Sequence, residues 1–418
     1  MRTLKNRRDD VFENMSENSV MIIFSGVSKI VSEDEFYPFM SNRNFFYLTN
    51  IEQENSILML IKGISETKTY LFIDEYDELK EKWTGKRLTD EEAYKISEIN
   101  NVYHTNCFEN MVKLALSENN NQYGKISKLY LDFTPELKIK PEYSTLNYKE
   151  FIENEYPNIE IENLVPMLTS LRMKKSSDEV ENLLLAINAT NAGLAKLINT
   201  IKPGMLEKHA ADVFEFYGRE HAHRDLSFST ICAAGKNATC LHYPTQNDTI
   251  KENDLVLFDL GYKHNGYCAD ISRTYPVNGV FTGLQKEVYQ AVLNCNKAVI
   301  DHIRPGMTLL ELNNFTKEFL KNECVRIGVL KPEDDISKYY FHGISHHLGL
   351  DTHDVSDRKK PLENGNVITV EPGLYLADKG IGVRIEDDIL IFDGHAEVLS
   401  KGIAKEISDI EKLFKTRG

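Results

Sequence analysis

Short apolar runs bounded by Gly, Asn or Asp dominate the first 165 residues. VMIIFSG (Val20–Gly26), NFFYLTNI (Asn44–Ile51), SILMLIKG (Ser56–Gly63), KTYLFID (Lys68–Asp74) and KLYLDF (Lys128–Phe133) have the length and the β-branched or aromatic content of strands. DEEAYKISEI (Asp90–Ile99) has the spacing of a helix. The alternation predicts an α/β domain with a mixed sheet over residues 1–165, and it contains no glycine-rich phosphate fingerprint.

The pattern changes after a linker expected at residues 166–175. Ser176 followed three residues later by Glu179 has the form of a capping box. Val180, Leu183, Leu184, Ile187 and Leu194 then recur at helical spacing, and Pro203-Gly204 ends the run. A similar phrase, KAVIDHIRPGM (Lys297–Met307), closes a second helix about a hundred residues later. The shared I-x-P-G-M ending suggests an internal duplication within a second domain, 176–418. That domain also carries strands, most clearly DLVLFDLGY, NVITVEPGLY and GIGVRIEDDILIF.

Composition narrows the function. Hydrophobic residues at 41% and charged residues at 27% describe an ordinary globular chain. A formal net charge of −15 argues against nucleic acid and anionic membrane as partners. No apolar run approaches the roughly eighteen residues of a membrane span, and the charged N-terminus has no signal-peptide core. Six cysteines without a C-x-x-C pair exclude a zinc ribbon by spacing and point to free thiols in a reduced, cytoplasmic protein.

Carboxylates inside strand patterns carry the candidate chemistry. Asp254–Val277 reads as a β-hairpin with Asn265-Gly266 as its turn, which puts Asp259 and Asp270 on one face. Asp259 interrupts the apolar run VLFDLG, and a buried charge there requires a partner or a metal. Glu371 ends the apolar run VITVEPG. Alternation in GVRIEDDILIF places Arg384, Glu386 and Asp388 on one face, either a solvent face with an Arg–Glu pair or an inward carboxylate beside an arginine. FHGISHHLGLDTHD (Phe341–Asp354) adds four of the chain's twelve histidines, His342, His346, His347 and His353. Four carboxylates together repel one another. Two divalent cations, with one imidazole added, resolve the repulsion, and an oxygen-rich set suits Mn, Co, Fe or Zn. Such a pair of ions about 3.5–4 Å apart, bridged by hydroxide, is the arrangement of two-metal hydrolases.

The ordered set Asp259, Asp270, His346, Glu371, Glu386 resembles the D…D…H…E…E ligands of the metallopeptidases with the creatinase/methionine-aminopeptidase, or pita-bread, fold. HGISHHLGLDTHD, TVEPGLY and GIGVRIEDD are similar to blocks of the aminopeptidase P (Xaa-Pro aminopeptidase) family. So are LHYPTQND (Leu241–Asp248) and, in the first domain, FYPFMSNRNFFYLTNI and EKWTGKRL. The resemblance implies an α+β protein, with a C-terminal pita-bread domain preceded by a smaller creatinase-type α/β domain. It implies removal of the N-terminal residue from peptides with proline in second position. The cofactors would be two divalent ions, Mn2+ first, with Co2+ or Zn2+ as alternatives.

By the same resemblance His346 is a metal ligand, while His242, His342 and His353 line the site. Glu371 is both ligand and proton shuttle, Arg384 orients the carboxylates, and Tyr375 contacts substrate. His347 is assigned a structural role. The family forms homodimers or homotetramers in which a first domain approaches its neighbour's cleft. That leaves Trp83, the chain's one tryptophan, either as a core residue or as an interface anchor. A prolidase limited to Xaa-Pro dipeptides, and a creatinase-like or non-enzymatic relative, are the alternatives.

Overall fold

The computed structural model describes residues 3–117, 123–134, 145–221 and 225–417. The chain divides into two compact units, Met1–Arg172 and Met173–Gly418.

The first unit is built on a mixed six-stranded sheet. Its strands are β1 (Ser19–Phe24), β2 (Ile57–Lys62), β3 (Thr67–Ile73), β4 (Val102–His104), β5 (Lys128–Leu131) and β6 (Glu160–Asn163), in the order β4-β3-β2-β1-β5-β6. β1–β2 and β2–β3 are antiparallel, whereas β1–β5, β5–β6 and β3–β4 are parallel. Alternate residues of β1 and β2, among them Val20, Ile22, Met59 and Ile61, pack with Phe72, Phe108 and Tyr148 in one apolar cluster.

The structure revises or decides three sequence readings here. Residues 44–51 are not a strand: Arg43–Thr49 form a helix. The Asn42 side chain accepts the backbone N–H groups of Asn44 and Phe45, and Asn50 closes the last turn in the left-handed region at φ 57°. Phe45, Phe46, Tyr47 and Leu48 are all buried, so the run has no polar face. Periodicity is then silent, and the two asparagine caps decide. Trp83 is no core residue either, being 83% exposed in a short helix, Glu78–Thr84, that buries none of its side chains. The stretch expected as a linker is helical from Val165 to Met173.

The second unit opens with α1 (Ser177–Thr200), and its N-terminus is a capping box: the backbone N–H and Oγ of Ser176 both donate to Glu179 Oε2, at 3.0 and 2.8 Å. α2 (Glu207–Glu220) follows, then strands β7 (Ile231–Ala234), β8 (Leu255–Leu260) and β9 (Ile271–Pro276). A second helix pair, α3 (Gly283–His302) and α4 (Leu309–Arg326), precedes β10 (Val367–Val370), β11 (Gly373–Leu376), β12 (Ile381–Arg384), β13 (Asp387–Phe392) and β14 (His395–Val398). The repeated I-x-P-G-M phrase makes the same turn twice. Gly204 and Gly306 both adopt positive φ, at 87° and 94°. Each donates its N–H to a distant backbone carbonyl, Ile250 O or Leu362 O, and the following methionine carbonyl accepts from that same residue.

The β8–β9 hairpin sets the register that matters. Asp259 pairs with Ser272, and Asp270 lies two residues before that partner. The tip turns at Asn265 and Gly266, both at positive φ as a type I′ turn requires. Close approach of the arms depends on Gly261: a β-carbon there would lie 2.0 Å from Ala269 O. At Gly306 a β-carbon would meet open space. Gly306→Ala is therefore expected to cost about 1 kcal/mol through backbone strain alone, and Gly261→Ala about 3 kcal/mol because the hairpin must spread. Urea denaturation of the two variants measures the difference, and equal losses would contradict it.

Candidate metal centre

Five segments converge on one cleft of about 710 Å³. β8 brings Asp259 and the hairpin arm beyond it brings Asp270. The loop before β10 brings His342, His346 and His353. Glu371 follows β10, and Arg384 and Glu386 flank the break between β12 and β13. His242 reaches the same cleft from the segment after β7. The run Arg384–Asp388 is no solvent face: Arg384, Glu386 and Asp388 are 4%, 2% and 0% exposed.

The carboxylates are held but not neutralised. Arg384 Nη2 donates to Asp259 Oδ2 at 2.6 Å, and its Nε donates to Ser272 Oγ at 2.7 Å. Ser272 Oγ donates in turn to Glu386 Oε2 at 2.7 Å. Among the described residues one guanidinium, that of Arg384, is hydrogen-bonded to a member of this set of four carboxylates. Burial, and then the neighbouring carboxylates, push Asp270 and Glu386 well above the usual acid range. Burial raises Glu371 to about 7 against the opposing pull of His346 and Arg384. Asp387, one residue further on, goes the other way. Its burial is outweighed by Arg273 and Lys405, which hold it well below the ordinary value.

The donor set suits divalent cations. Ligand atoms of Asp270, His346 and Glu386 all lie within 4.8 Å of one another. Asp259 Oδ1 is buried with no hydrogen-bond partner, an orphan that a cation would satisfy. His346 Nδ1 lies 3.0 Å from the carbonyl of His347, to which it donates in the neutral tautomer. That leaves Nε2 turned to Asp270 Oδ2 at 3.3 Å and Glu371 Oε1 at 3.6 Å.

Two family models match: "Metallopeptidase family M24" over residues 181–393 and "Aminopeptidase P, N-terminal domain" over residues 4–123. A Haemophilus influenzae Xaa-Pro aminopeptidase is 34% identical, covering 98% of this chain and 96% of its own. The chain belongs to metallopeptidase family M24. An Escherichia coli Xaa-Pro aminopeptidase is 32% identical, with 98% and 96% covered. Among solved structures, a Bacillus anthracis chain superposes with a TM-score of 0.95 at 38% identity, covering 100% of this chain and 99% of that one. Escherichia coli aminopeptidase P with the inhibitor Pro-Leu superposes at 0.89 and 29% identity, with 99% and 98% covered. The protein is a hydrolase of the metallopeptidase class with the two-domain pita-bread architecture, and its chemistry calls for divalent metal ions.

Around the M24 centre the histidines are not equivalent. Burial, then the charge of Arg384, lowers His342 to about 4, so the ring is neutral near pH 7. Both its nitrogens have partners inside the protein: Nδ1 lies 2.8 Å from Gly343 O and Nε2 2.9 Å from the Tyr375 hydroxyl. Tyr375 is 2% exposed, and its hydroxyl also accepts from Arg384 Nη1 at 3.2 Å. His353 is exposed at the cleft, its ring edge-on to His346 at 4.3 Å. His347 is buried and, by burial and then Lys175, neutral.

Two groups escaped the sequence reading. Ser272 was legible by parity, since it stands two residues after Asp270 on the face of Asp259. The buried pair Lys175–Asp354, at 3.0 Å with both side chains nearly inaccessible, has no local signal because its members lie 179 residues apart. Asp354 donates its backbone N–H to His347 O, so the pair fixes the histidine loop. Lys175→Met leaves a buried carboxylate and should destabilise the protein by about 3–5 kcal/mol, whereas the double variant Lys175→Met/Asp354→Leu should recover most of that loss. Denaturant titration of single and double variants decides, and an additive double variant would refute it.

Proposed function

We propose that this M24 metallopeptidase removes the N-terminal residue from peptides whose second residue is proline. The observation that carries the reading is the likeness to Xaa-Pro aminopeptidases over 98% of the chain, first domain included, combined with four carboxylates and an imidazole converging on one cleft. Asp259, Asp270, His346, Glu371 and Glu386 would hold two divalent ions, and the excess of oxygen donors favours Mn2+, then Co2+ or Zn2+. When bound, such ions lower the pKa of a water molecule and polarise the scissile carbonyl.

The chain's own groups complete the reaction. Glu371, at the cleft wall, takes up a proton on a carboxylate oxygen and delivers it to the departing imide nitrogen of proline. Arg384 keeps Asp259 fixed and draws the Tyr375 hydroxyl against His342. His342 thereby forms a rigid neutral wall 3.7 Å from Glu371. His242 and His353, exposed in the cleft, are free to donate to the substrate's carbonyl oxygen.

All six cysteines are unbonded, four of them buried, which fits a reducing, cytoplasmic setting. Among the described residues no helix is long and apolar enough to cross a membrane. The exposed Trp83 supports a homodimer or homotetramer, because a bare indole is a common interface anchor.

With Mn2+ added, a Gly-Pro-Pro tripeptide should be cleaved after glycine, and chelation should abolish that activity until Mn2+ is returned. Hydrolysis of Gly-Pro alone, with the tripeptide intact, would make the protein a dipeptidase instead. Asp270→Ala and Glu386→Ala should each lose bound metal and at least a thousandfold in turnover. His353→Ala should keep its metal and slow by about a hundred- to a thousandfold, the scale of a single positioned donor. Elemental analysis beside kinetics checks this, and equal metal loss in all three variants would refute the division of roles.

A further inference from the structure

Asn296, in the second half of α3, is fully buried. Its two amide hydrogens point at two backbone carbonyls: Nδ2 lies 3.3 Å from Val370 O and 3.3 Å from Ile385 O. Those carbonyls belong to the peptide units that lead into Glu371 and Glu386. The opposite ends of the same two peptide planes are also held, Glu371 N–H by Ile344 O and Glu386 N–H by Ser272 O, each at 3.0 Å. The amide oxygen is anchored in turn, because Lys405 Nζ donates to Asn296 Oδ1 at 2.7 Å and to Asp387 Oδ2 at 2.5 Å. Asp387 is paired with Arg273 at 2.8 Å, and Arg273 also donates to the carbonyl of Glu386. A closed circuit of Asn296, Lys405, Asp387 and Arg273 thus grips the backbone behind both glutamates.

We propose that Asn296 is a positioning residue that sets the spacing of Glu371 and Glu386, and through them the affinity for divalent ions. No other residue type of this size offers two N–H donors on one nitrogen together with a carbonyl acceptor. The inference rests on the proposed role of the two glutamates as metal ligands. If that role fails, the unaltered protein binds no divalent ion; if only the present inference fails, the unaltered protein binds ions and the variant does so equally well.

Asn296→Asp keeps the shape and the contact with Lys405 but sets one carboxylate oxygen, in place of Nδ2, against two carbonyls. Cobalt titration, followed by visible absorption and calorimetry, should show affinity lowered at least tenfold. In the Mn2+-loaded enzyme kcat should fall at least tenfold with KM changed less than threefold. Leu293→Ala, a cavity in the same helix at a side chain that makes none of the circuit's hydrogen bonds, controls for stability alone and should lower the melting temperature without changing cobalt affinity. Should Asn296→Asp fail to fold, Lys405→Met, which removes the anchor of the amide, should give a smaller shift in the same direction. Cobalt affinity and kcat within threefold of the parent, in Asn296→Asp or in that substitute, would overturn the proposal. So would losses that Leu293→Ala reproduces.

Discussion

Four carboxylates confined to one desolvated cleft are the constraint around which the second unit is organised. Taking a carboxylate out of water is costly, and each like-charged neighbour adds to the cost. Arg384 answers part of it at Asp259, and the Ser272 hydroxyl relays between that guanidinium and Glu386. What is left uncompensated is visible in Asp270, Glu371 and Glu386, all pushed upward by burial. Asp387 shows that the same fold can bury a carboxylate comfortably when it supplies Arg273 and Lys405. The difference between neighbours one residue apart marks where the protein leaves charge for a cation to balance.

The scaffold answers with backbone rather than side-chain packing. Ser272 O receives the N–H of Glu386, Ile344 O that of Glu371, and His346 O that of Thr369. Each such bond joins two segments that present cleft residues, so displacing one disturbs another. The histidine loop is irregular and glycine-rich, yet it is held by the Asp354–Lys175 pair and by these ladder-like bonds. An irregular loop fixed in this way can present Nε2 of His346 at a defined place, which a mobile one could not.

Much of this was written in short-range pattern. The hairpin turn at Asn265-Gly266, the capping box at Ser176 and the alternation in GVRIEDD are local signals with local causes, and the pita-bread architecture was implied by the resemblance of the motifs to a known family. Three things were not local. The apolar run at Phe45–Leu48 is buried on every side, so only its asparagine caps distinguish helix from strand. Trp83 looks like core by its size, but its helix packs no side chain inward. The partners of Asn296 and Lys175 lie 74 to 179 residues away, and no spacing rule reaches so far. Tyr375 illustrates the same limit: its place beside the motif was plain, but its burial between His342 and Arg384 was not.

The bond between Glu386 and Ser272 carries a consequence for biosynthesis. Asp259 and Asp270 leave the ribosome well before the segment that faces them: Arg384 follows Asp259 by 125 residues, and Glu386 follows Ser272 by 114. Arg384, the one guanidinium that answers Asp259, arrives equally late. The first hairpin must therefore keep its aspartates in water while the nascent chain grows. The carboxylate cluster cannot assemble until that later segment has been made and has folded back against the hairpin, so the charge that a cation would balance gathers only after synthesis has passed Glu386.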